Sequence, residues 1–135
     1  MKVVIDASVA LKWVVPEDGS EAARALRRFE LIAPNIWLAE VANALWRHVL
    51  RAELEQRQAE GLLRELKAAP VLTIPLEADI QIALGLASEL SHPIYDCIYL
   101  ALAQRESTYV ITADRRFASL VSRYTHLATL IQCLL

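Results

Sequence analysis

Glycine and cysteine are both scarce in this sequence of 135 residues. Only Gly19, Gly61 and Gly85 occur, and no two of them stand close together. The P-loop and dinucleotide-binding folds need a glycine-rich first loop, so the sequence excludes both. The two cysteines, Cys97 and Cys133, lie in apolar contexts without the spacing of metal ligands, and we predict that they are reduced thiols of the core.

The sequence also lacks an excess of positive charge and a long uncharged run. Its formal net charge is −2, so any nucleic-acid binding must depend on local arginines and not on a general basic field. No uncharged stretch approaches the ~20 residues that span a bilayer. Asp6 and Lys12 interrupt the apolar N-terminal stretch, which does not fit a signal peptide. We therefore expect a cytoplasmic protein without a membrane segment.

Apolar residues, in contrast, are abundant. They make up 56% of the chain, and only 22% of residues are charged, which excludes disorder and leaves a rather apolar surface. Such a composition suggests either deep burial or a permanent partner. Trp13, Trp37 and Trp46 are candidate anchors for a partner, and the core could equally take up all three. The length fits one domain, residues 1–135.

Short apolar strands alternate with helices along the chain. The pattern predicts strands over residues 2–6, 31–33, 71–73, 109–112 and 126–130. It predicts helices over residues 7–14, 20–29, 36–51, 53–68, 77–90 and 94–106, with a further short helix from about residue 115. This alternation is typical of an α/β layer fold around a parallel sheet.

Four acidic residues stand where a soluble protein has little reason to place a charge. Asp6 ends the first strand of "MKVVIDASVALKW", and Asp114 follows the strand in "YVITAD". Glu40 is the only charge before Arg47 in its helix, and Asp96 is the only charge in "IYDCIYLALA".

Three of these acids also have a local interpretation. Asp6 and Asp114 each stand between a strand and a helix, where an aspartate serves as an N-cap. Asp96 lies in the first turn of a helix, where the helix dipole favours an acid. Glu40 has no such explanation, because we place it more than one turn inside a helix whose other faces look buried.

The four acids could form one site if the strands that end at Asp6 and Asp114 are neighbours in the sheet. The carboxyl ends of parallel strands share one edge of a sheet, and ligands bind in the crevice there. Asp6 and Asp114 would then converge, and Asp96 joins them if its preceding connection reaches that edge. Carboxylates this close repel one another unless they hold protons or a cation. Mg²⁺ or Mn²⁺ is the natural partner, and the chemistry is metal-assisted phosphodiester cleavage.

Two hydroxyl groups accompany the strand-end acids. Ser8 follows Asp6 by two residues, and Thr112 precedes Asp114 by two. Either hydroxyl could orient a carboxylate or a metal-bound water, and each could equally serve as a helix cap or fill space on a strand.

Further polar side chains surround the predicted site. Asn43 and Arg47 follow Glu40 at i+3 and i+7, so the three form a polar stripe on one helix. Arg115 and Arg116 could receive RNA phosphates. A solvated basic helix start explains these two arginines as well.

Four segments of the sequence resemble the PIN domain, and most closely the VapC-type ribonuclease toxins of toxin–antitoxin pairs. They are "VVIDASVALKW", "AEVANALW", "IYDCIYLALA" and "VITADRRF", in that order, and the resemblance covers residues 2 to 130. One departure is the pair Ser107-Thr108, where a glycine is often found. It affects a turn and not the acids.

The resemblance implies a three-layer α/β/α fold with a central parallel sheet and an endoribonuclease that depends on Mg²⁺ or Mn²⁺. It implies an RNA substrate, a homodimer and an antitoxin that covers the site at rest. The family's four catalytic acids fall on Asp6, Glu40, Asp96 and Asp114, with the metal expected on Asp6, Asp96 and Asp114. The hydroxyl neighbours fall on Ser8 and Thr112.

Other interpretations fit the sequence less well. A phosphatase with an aspartyl nucleophile needs a second aspartate two residues after the first, where this chain has Ser8. A receiver-type phospho-acceptor needs an acid pair near the first strand and a lysine on a late strand, and neither is evident. A PIN-like scaffold that binds a partner without catalysis is the remaining alternative, although the intact acids argue against it.

Overall fold

The first strand is the middle strand of a five-stranded parallel sheet. The structure, a computed structural model, describes residues 1–135. The strands lie in the order β3-β2-β1-β4-β5, and every neighbouring pair is parallel. They are β1 (Lys2–Ile5), β2 (Glu30–Pro34), β3 (Val71–Ile74), β4 (Val110–Thr112) and β5 (Ile131–Cys133).

Seven α-helices connect and flank these strands, which confirms the predicted α/β fold with a central parallel sheet. Single 3₁₀ turns occur at 26–28, 76–78 and 128–130. The helices are α1 (Ala7–Leu11), α2 (Ser20–Ala25), α3 (Trp37–Leu50), α4 (Gln56–Lys67), α5 (Ile80–Leu90), α6 (Ile94–Arg105) and α7 (Arg115–Ser122). None of them is long and apolar enough to cross a membrane.

Helix α6 is the central helix of the fold. It contacts β1, β2 and β4 as well as α5, and all seven residues from Cys97 to Ala103 are buried. A helix that is apolar on every side is one that the protein encloses. The apolar run of this segment therefore fixes α6 against the middle of the sheet, with Asp96 in its first turn.

The predicted last strand was wrong in position. Residues 126–130 were expected to form it, but the strand is β5, and residues 128–130 form a 3₁₀ turn. The amides of Leu127 and Ala128 both donate to the Tyr124 carbonyl, so local turns satisfy this apolar segment. Pairing with β4 begins only at Ile131, opposite Val110.

Several helix boundaries also differ from the prediction. Helix α1 ends at Leu11 instead of residue 14, and α2 gives way to a 3₁₀ turn after Ala25. Helix α4 begins at Gln56 instead of residue 53, because the Glu55 amide donates to the side chain of Gln58 and caps the helix there.

The placement of Glu40 was predicted incorrectly. Helix α3 begins at Trp37, so Glu40 lies in its first turn, where the helix dipole favours an acid as it does at Asp96. The surrounding face is not buried, since Ala39, Asn43 and Arg47 are exposed.

The two cysteines are free thiols, as predicted. Cys97 is a core residue, and burial raises the pKa of its thiol to about 11, with the charge of Asp96 adding to the shift. Cys133 is only partly buried, so the prediction of a core position was wrong for it. It belongs to β5 at the edge of the sheet, where fewer elements cover it.

Candidate active site at the carboxyl edge of the sheet

The four acids singled out in the sequence line one open pocket of about 450 Å³. Asp6 follows β1, Glu40 belongs to α3, Asp96 belongs to α6, and Asp114 directly precedes α7. The pocket lies beyond the carboxyl ends of β1 and β4, where the strand order reverses direction, as expected for a ligand site in such a sheet. Its remaining lining residues are Ala7, Ser8, Leu11, Ile36, Ala39, Asn43, Ala44, Arg47 and Tyr95.

The pairing of β1 with β4 brings the strand-end residues together. Ile5 lies opposite Ile111 in the sheet, so Asp6 follows β1 at the level where Thr112 ends β4. The Thr112 hydroxyl donates to Oδ2 of Asp6. The condition set by the sequence, that these two strands be neighbours, is therefore met.

The Asp6 carboxylate accepts three hydrogen bonds. The Ser8 hydroxyl donates to Oδ1 over 2.5 Å, the Val9 amide donates to Oδ1 over 3.3 Å, and the Thr112 hydroxyl donates to Oδ2. The bond from Val9 is a helix N-cap, so the local interpretation of Asp6 holds alongside its place in the pocket. The two hydroxyls orient the carboxylate, one of the roles considered for them.

The same two hydroxyls also fix the start of α7. The Ala113 amide donates to Ser8 Oγ, and the Asp114 amide donates to Thr112 Oγ1, both over 3.0 Å. Each hydroxyl therefore joins Asp6 to the connection that leads from β4 into α7.

Burial makes the Asp6 carboxylate costly to ionise. It raises the pKa of Asp6 to about 6, and the nearby charge of Asp96 adds to the shift, whereas the hydrogen bonds from Ser8 and Thr112 lower it. The pocket thus contains a carboxylate whose charge is not balanced by a basic side chain.

Glu40 is held by a buried tyrosine. The hydroxyl of Tyr99, a fully buried residue of α6, donates to Oε1 of Glu40. Burial raises the pKa of Glu40, the Tyr99 bond opposes this, and the charge of Asp96 adds to it. Burial and the neighbouring Glu40 also raise the pKa of Tyr99, so its hydroxyl remains a donor.

Asp96 and Asp114 both lie toward the open side of the pocket. Asp96 Oδ2 lies 2.7 Å from Nε2 of His92, and the Asp96 charge raises the pKa of both Asp6 and Glu40. Asp114 is exposed and accepts a hydrogen bond from the Phe117 amide over 3.1 Å, which makes it the N-cap of α7 as well.

The four predicted polar neighbours divide into two groups. Asn43 and Arg47 line the pocket on the exposed face of α3, and the Arg47 guanidinium forms no ion pair. Arg115 and Arg116 lie outside the pocket lining. Arg115 instead lines a separate cavity of about 150 Å³ beside Lys12 and the C-terminal residues.

The donor set suits a hard divalent cation in its chemistry. All four acids offer oxygen ligands, and only Asp96 has a basic partner, His92. In the present arrangement no three His, Cys, Asp or Glu side chains converge as a metal site. Mg²⁺ is usually held by one or two carboxylates and keeps several waters, so the residues fit such an ion by type and charge without forming a closed cage.

Two residues that contact the acids, His92 and Tyr99, were not assigned a role from the sequence. They lie four residues before and three residues after Asp96. Tyr99 shares a helix face with Asp96 at i+3, so helical periodicity was the available signal for it. His92 precedes α6, and periodicity gives no signal for it.

Comparison with known proteins identifies the family. The sequence profile of the PIN domain matches residues 3–121. Ribonuclease VapC3 of Pyrobaculum aerophilum is 36% identical over 122 residues, which are 87% of this chain and 93% of that protein.

Two solved structures share the fold. The crystal structure of PAE2754 from Pyrobaculum aerophilum superposes with a TM-score of 0.68 at 21% identity, covering 89% of this chain and 79% of that one. A toxin–antitoxin complex from Klebsiella pneumoniae gives a TM-score of 0.61 at 18% identity, covering 83% of this chain and 86% of that one. The chain belongs to the PIN domain family, among the VapC-type ribonuclease toxins.

Proposed function

We propose that this protein is an endoribonuclease dependent on Mg²⁺ or Mn²⁺ and the toxin of a toxin–antitoxin pair. The observation that carries the proposal is that four carboxylates from four separate parts of the chain line one pocket. The charge of Asp96 is close enough to add to the raised pKa of both Asp6 and Glu40. The only basic partner of these acids is His92, and a substrate with phosphate groups needs a cation before it can approach.

We assign the metal to Asp6, Asp96 and Asp114, and we place Glu40 beside it. A bound divalent ion would supply the charge that neutralises the phosphodiester and lowers the pKa of a water. Ser8 and Thr112 hold the Asp6 carboxylate in place, and Tyr99 holds Glu40. The protein's own contribution is thus to fix the ligands before the substrate binds.

The RNA backbone is expected to meet Arg47 first. This arginine and Asn43 line the pocket next to the acids, and the guanidinium has no carboxylate partner that would compete with a phosphate. Arginine binds phosphate through two parallel hydrogen bonds. Arg115 and Arg116 lie outside the lining, so we assign them at most a secondary contact farther along the strand.

Cleavage of RNA by the purified protein tests the proposal. We expect Mg²⁺ or Mn²⁺ to support endonucleolytic cuts in a mixture of transfer and ribosomal RNA, and a chelator to abolish them. Asp96→Asn should be inactive, whereas Glu89→Gln should be fully active, because Glu89 pairs with His126 outside the pocket. Cleavage by Asp96→Asn at the wild-type rate would disprove the assignment. Absence of both cleavage and Mn²⁺ binding in the wild type would favour the binding-only scaffold.

A kinetic prediction concerns Arg47. Arg47→Gln should raise KM about tenfold, with kcat within about threefold, because a contact with a phosphate that does not react contributes mainly to ground-state binding. The slope of the logarithm of the RNA-binding constant against the logarithm of salt concentration should also become shallower by about one. The matched control is Arg57→Gln, which removes an exposed arginine of α4 outside the pocket and should change neither value. Equal effects of the two variants would remove the special role of Arg47.

We also propose a homodimer and a cognate antitoxin as partners, in the cytoplasm. The support is apolar surface: Ile82 and Leu84 on α5 are 55% and 60% exposed, and Trp46 on α3 is 54% exposed. Of the three tryptophans, Trp13 and Trp37 donate hydrogen bonds within the domain, so Trp46 is the anchor that remains available.

Light scattering of the purified protein tests the dimer. We expect the wild type to have twice the mass of the chain and Leu84→Lys to have the mass of one chain, because a buried, unpaired lysine is costly at an interface. The control Leu50→Lys changes another exposed leucine, at the end of α3, and should leave the mass unchanged. A dimeric Leu84→Lys protein would place the interface elsewhere.

A further inference from the structure

His92 lies between α5 and α6, where its ring contacts two elements that carry acids of the pocket. Its Nε2 is 2.7 Å from Asp96 Oδ2, and its ring lies against Phe117 of α7, with centroids 4.8 Å apart. We propose that His92 is a positioning residue that fixes Asp96 relative to Asp114. This inference rests on the proposed function of these acids as metal ligands.

The backbone on both sides of His92 fixes where its ring lies. Ser91 adopts the left-handed conformation, with φ of 51°, and so ends α5. The His92 amide then donates to the Ala87 carbonyl over 3.1 Å, and Pro93 is the N-cap of α6 immediately afterwards. Because both neighbouring residues are held in this way, the ring is placed by the turn and not by chance contact.

The hydrogen bond orients one oxygen of Asp96 and leaves the other free. An ionised carboxylate can only accept, so Nε2 carries the proton and donates to Oδ2. Oδ1 remains available toward the pocket, which Asp96 lines. The His92 side chain is only 24% exposed, and the Phe117 ring, which it overlaps at a tilt of 32°, restricts its rotation.

Phe117 connects the ring of His92 to Asp114, the second acid. Its amide donates to Asp114 Oδ1 over 3.1 Å, and its side chain is buried in the core. One imidazole therefore contacts both Asp96 and the first turn of α7, which Asp114 caps. Residues that orient metal ligands in this way typically change metal affinity when they are replaced.

The chain contains a second acid–histidine pair that serves as a comparison. His126 lies 3.0 Å from Glu89, but the two side chains are 62% and 41% exposed and lie outside the pocket. The pair of His92 and Asp96 differs from it in the lower exposure of its histidine, 24% against 62%, and in joining the pocket acid Asp96 to α7, which Asp114 caps.

The test is titration of Mn²⁺ into the purified, metal-free protein by calorimetry. His92→Phe keeps an aromatic ring against Phe117 but removes the donor, and we expect Mn²⁺ to bind about tenfold more weakly. His92→Gln places an amide donor near the position of Nε2 and should restore affinity to within about threefold of the wild type. His126→Phe should bind Mn²⁺ as the wild type does. The thermal unfolding midpoint without metal should change by less than about 3 °C in all three.

Each result separates this inference from the proposed function. Wild-type affinity in His92→Phe would overturn the positioning role and leave the metal site intact. Equal weakening in His92→Phe and His92→Gln would show that the hydrogen bond is not the cause, and would also overturn it. If the wild type itself binds no Mn²⁺, the proposed metal dependence fails and this inference fails with it. If His92→Phe does not fold, His92→Leu replaces it with the same expected loss.

Discussion

Asp6→Asn is expected to abolish RNA cleavage and, at the same time, to stabilise the metal-free protein at neutral pH. The substitution removes the carboxylate that we assign to the metal, so the rate should fall at least about a thousandfold. It also removes a charge from a partly buried position beside Asp96, where ionisation opposes folding.

The direction of the pH dependence follows from the raised pKa. Folding raises the pKa of Asp6 from its ordinary value near 4 to about 6. Between these values the folded state binds more protons than the unfolded state, so this residue makes stability fall as the pH rises. Below about pH 4 both states are protonated, and the penalty disappears.

The expected stabilisation is about 1–2 kcal/mol at pH 7.5 and close to zero at pH 4. It is smaller than the shift alone implies, because asparagine accepts fewer bonds from Ser8 and Thr112. Urea unfolding in a chelator at both pH values measures it. Asp18→Asn is the matched control, since Asp18 is exposed in a turn and should change neither activity nor stability. An Asp6→Asn protein that is less stable than wild type at pH 7.5 would contradict this account of the pocket.

Arg105→Met is expected to produce the largest loss of stability, about 2–4 kcal/mol. Asp79, which precedes α5, is only 2% exposed, and Arg105 at the end of α6 holds it with two hydrogen bonds of 2.7 and 2.9 Å. Removal of the arginine leaves a buried carboxylate without a partner. The loss lies at the lower end of the range for buried pairs because the Arg105 side chain is 40% exposed.

A double-mutant cycle tests whether the pair is the cause. Arg105→Met should cost less than about 1 kcal/mol when Asp79 is already Asn, because no buried charge is then left behind. The control is Lys2→Met, which breaks the exposed pair with Glu106 and should cost less than about 0.5 kcal/mol. The same loss from Arg105→Met in both backgrounds would mean that the arginine contributes through packing instead.

Much of the fold and of the acidic pocket could be predicted from the sequence, and the reason differs from residue to residue. Asp6 and Asp114 were predictable because each follows an apolar strand, and parallel strands end at a common edge. Asp96 and Glu40 depended on tertiary packing: the first on how α5 leads into α6, the second on how α3 lies against α1 and α6. For these two, the resemblance to a family supplied what local physics could not.

Other features followed from contacts that a linear pattern does not contain. Residues 126–130 are as apolar as a strand, but the register with β4 selects Ile131–Cys133 instead. Arg47 lines the pocket and Arg115 does not, because the side of α3 that carries Arg47 faces the acids. The burial of Asp79 could not be predicted from its local sequence, because its partner Arg105 lies 26 residues later in the chain.

The hydrogen bond from Thr112 to Asp6 joins residues 106 positions apart in the sequence. This separation determines the order in which the parts of the pocket become available during synthesis. During translation Asp6, Glu40 and Asp96 leave the ribosome before Thr112 and Asp114, because the chain is made from its N-terminus. A ribosome-bound chain that ends before Thr112 cannot form this bond, so Asp6 accepts hydrogen bonds only from Ser8 and Val9 at that stage.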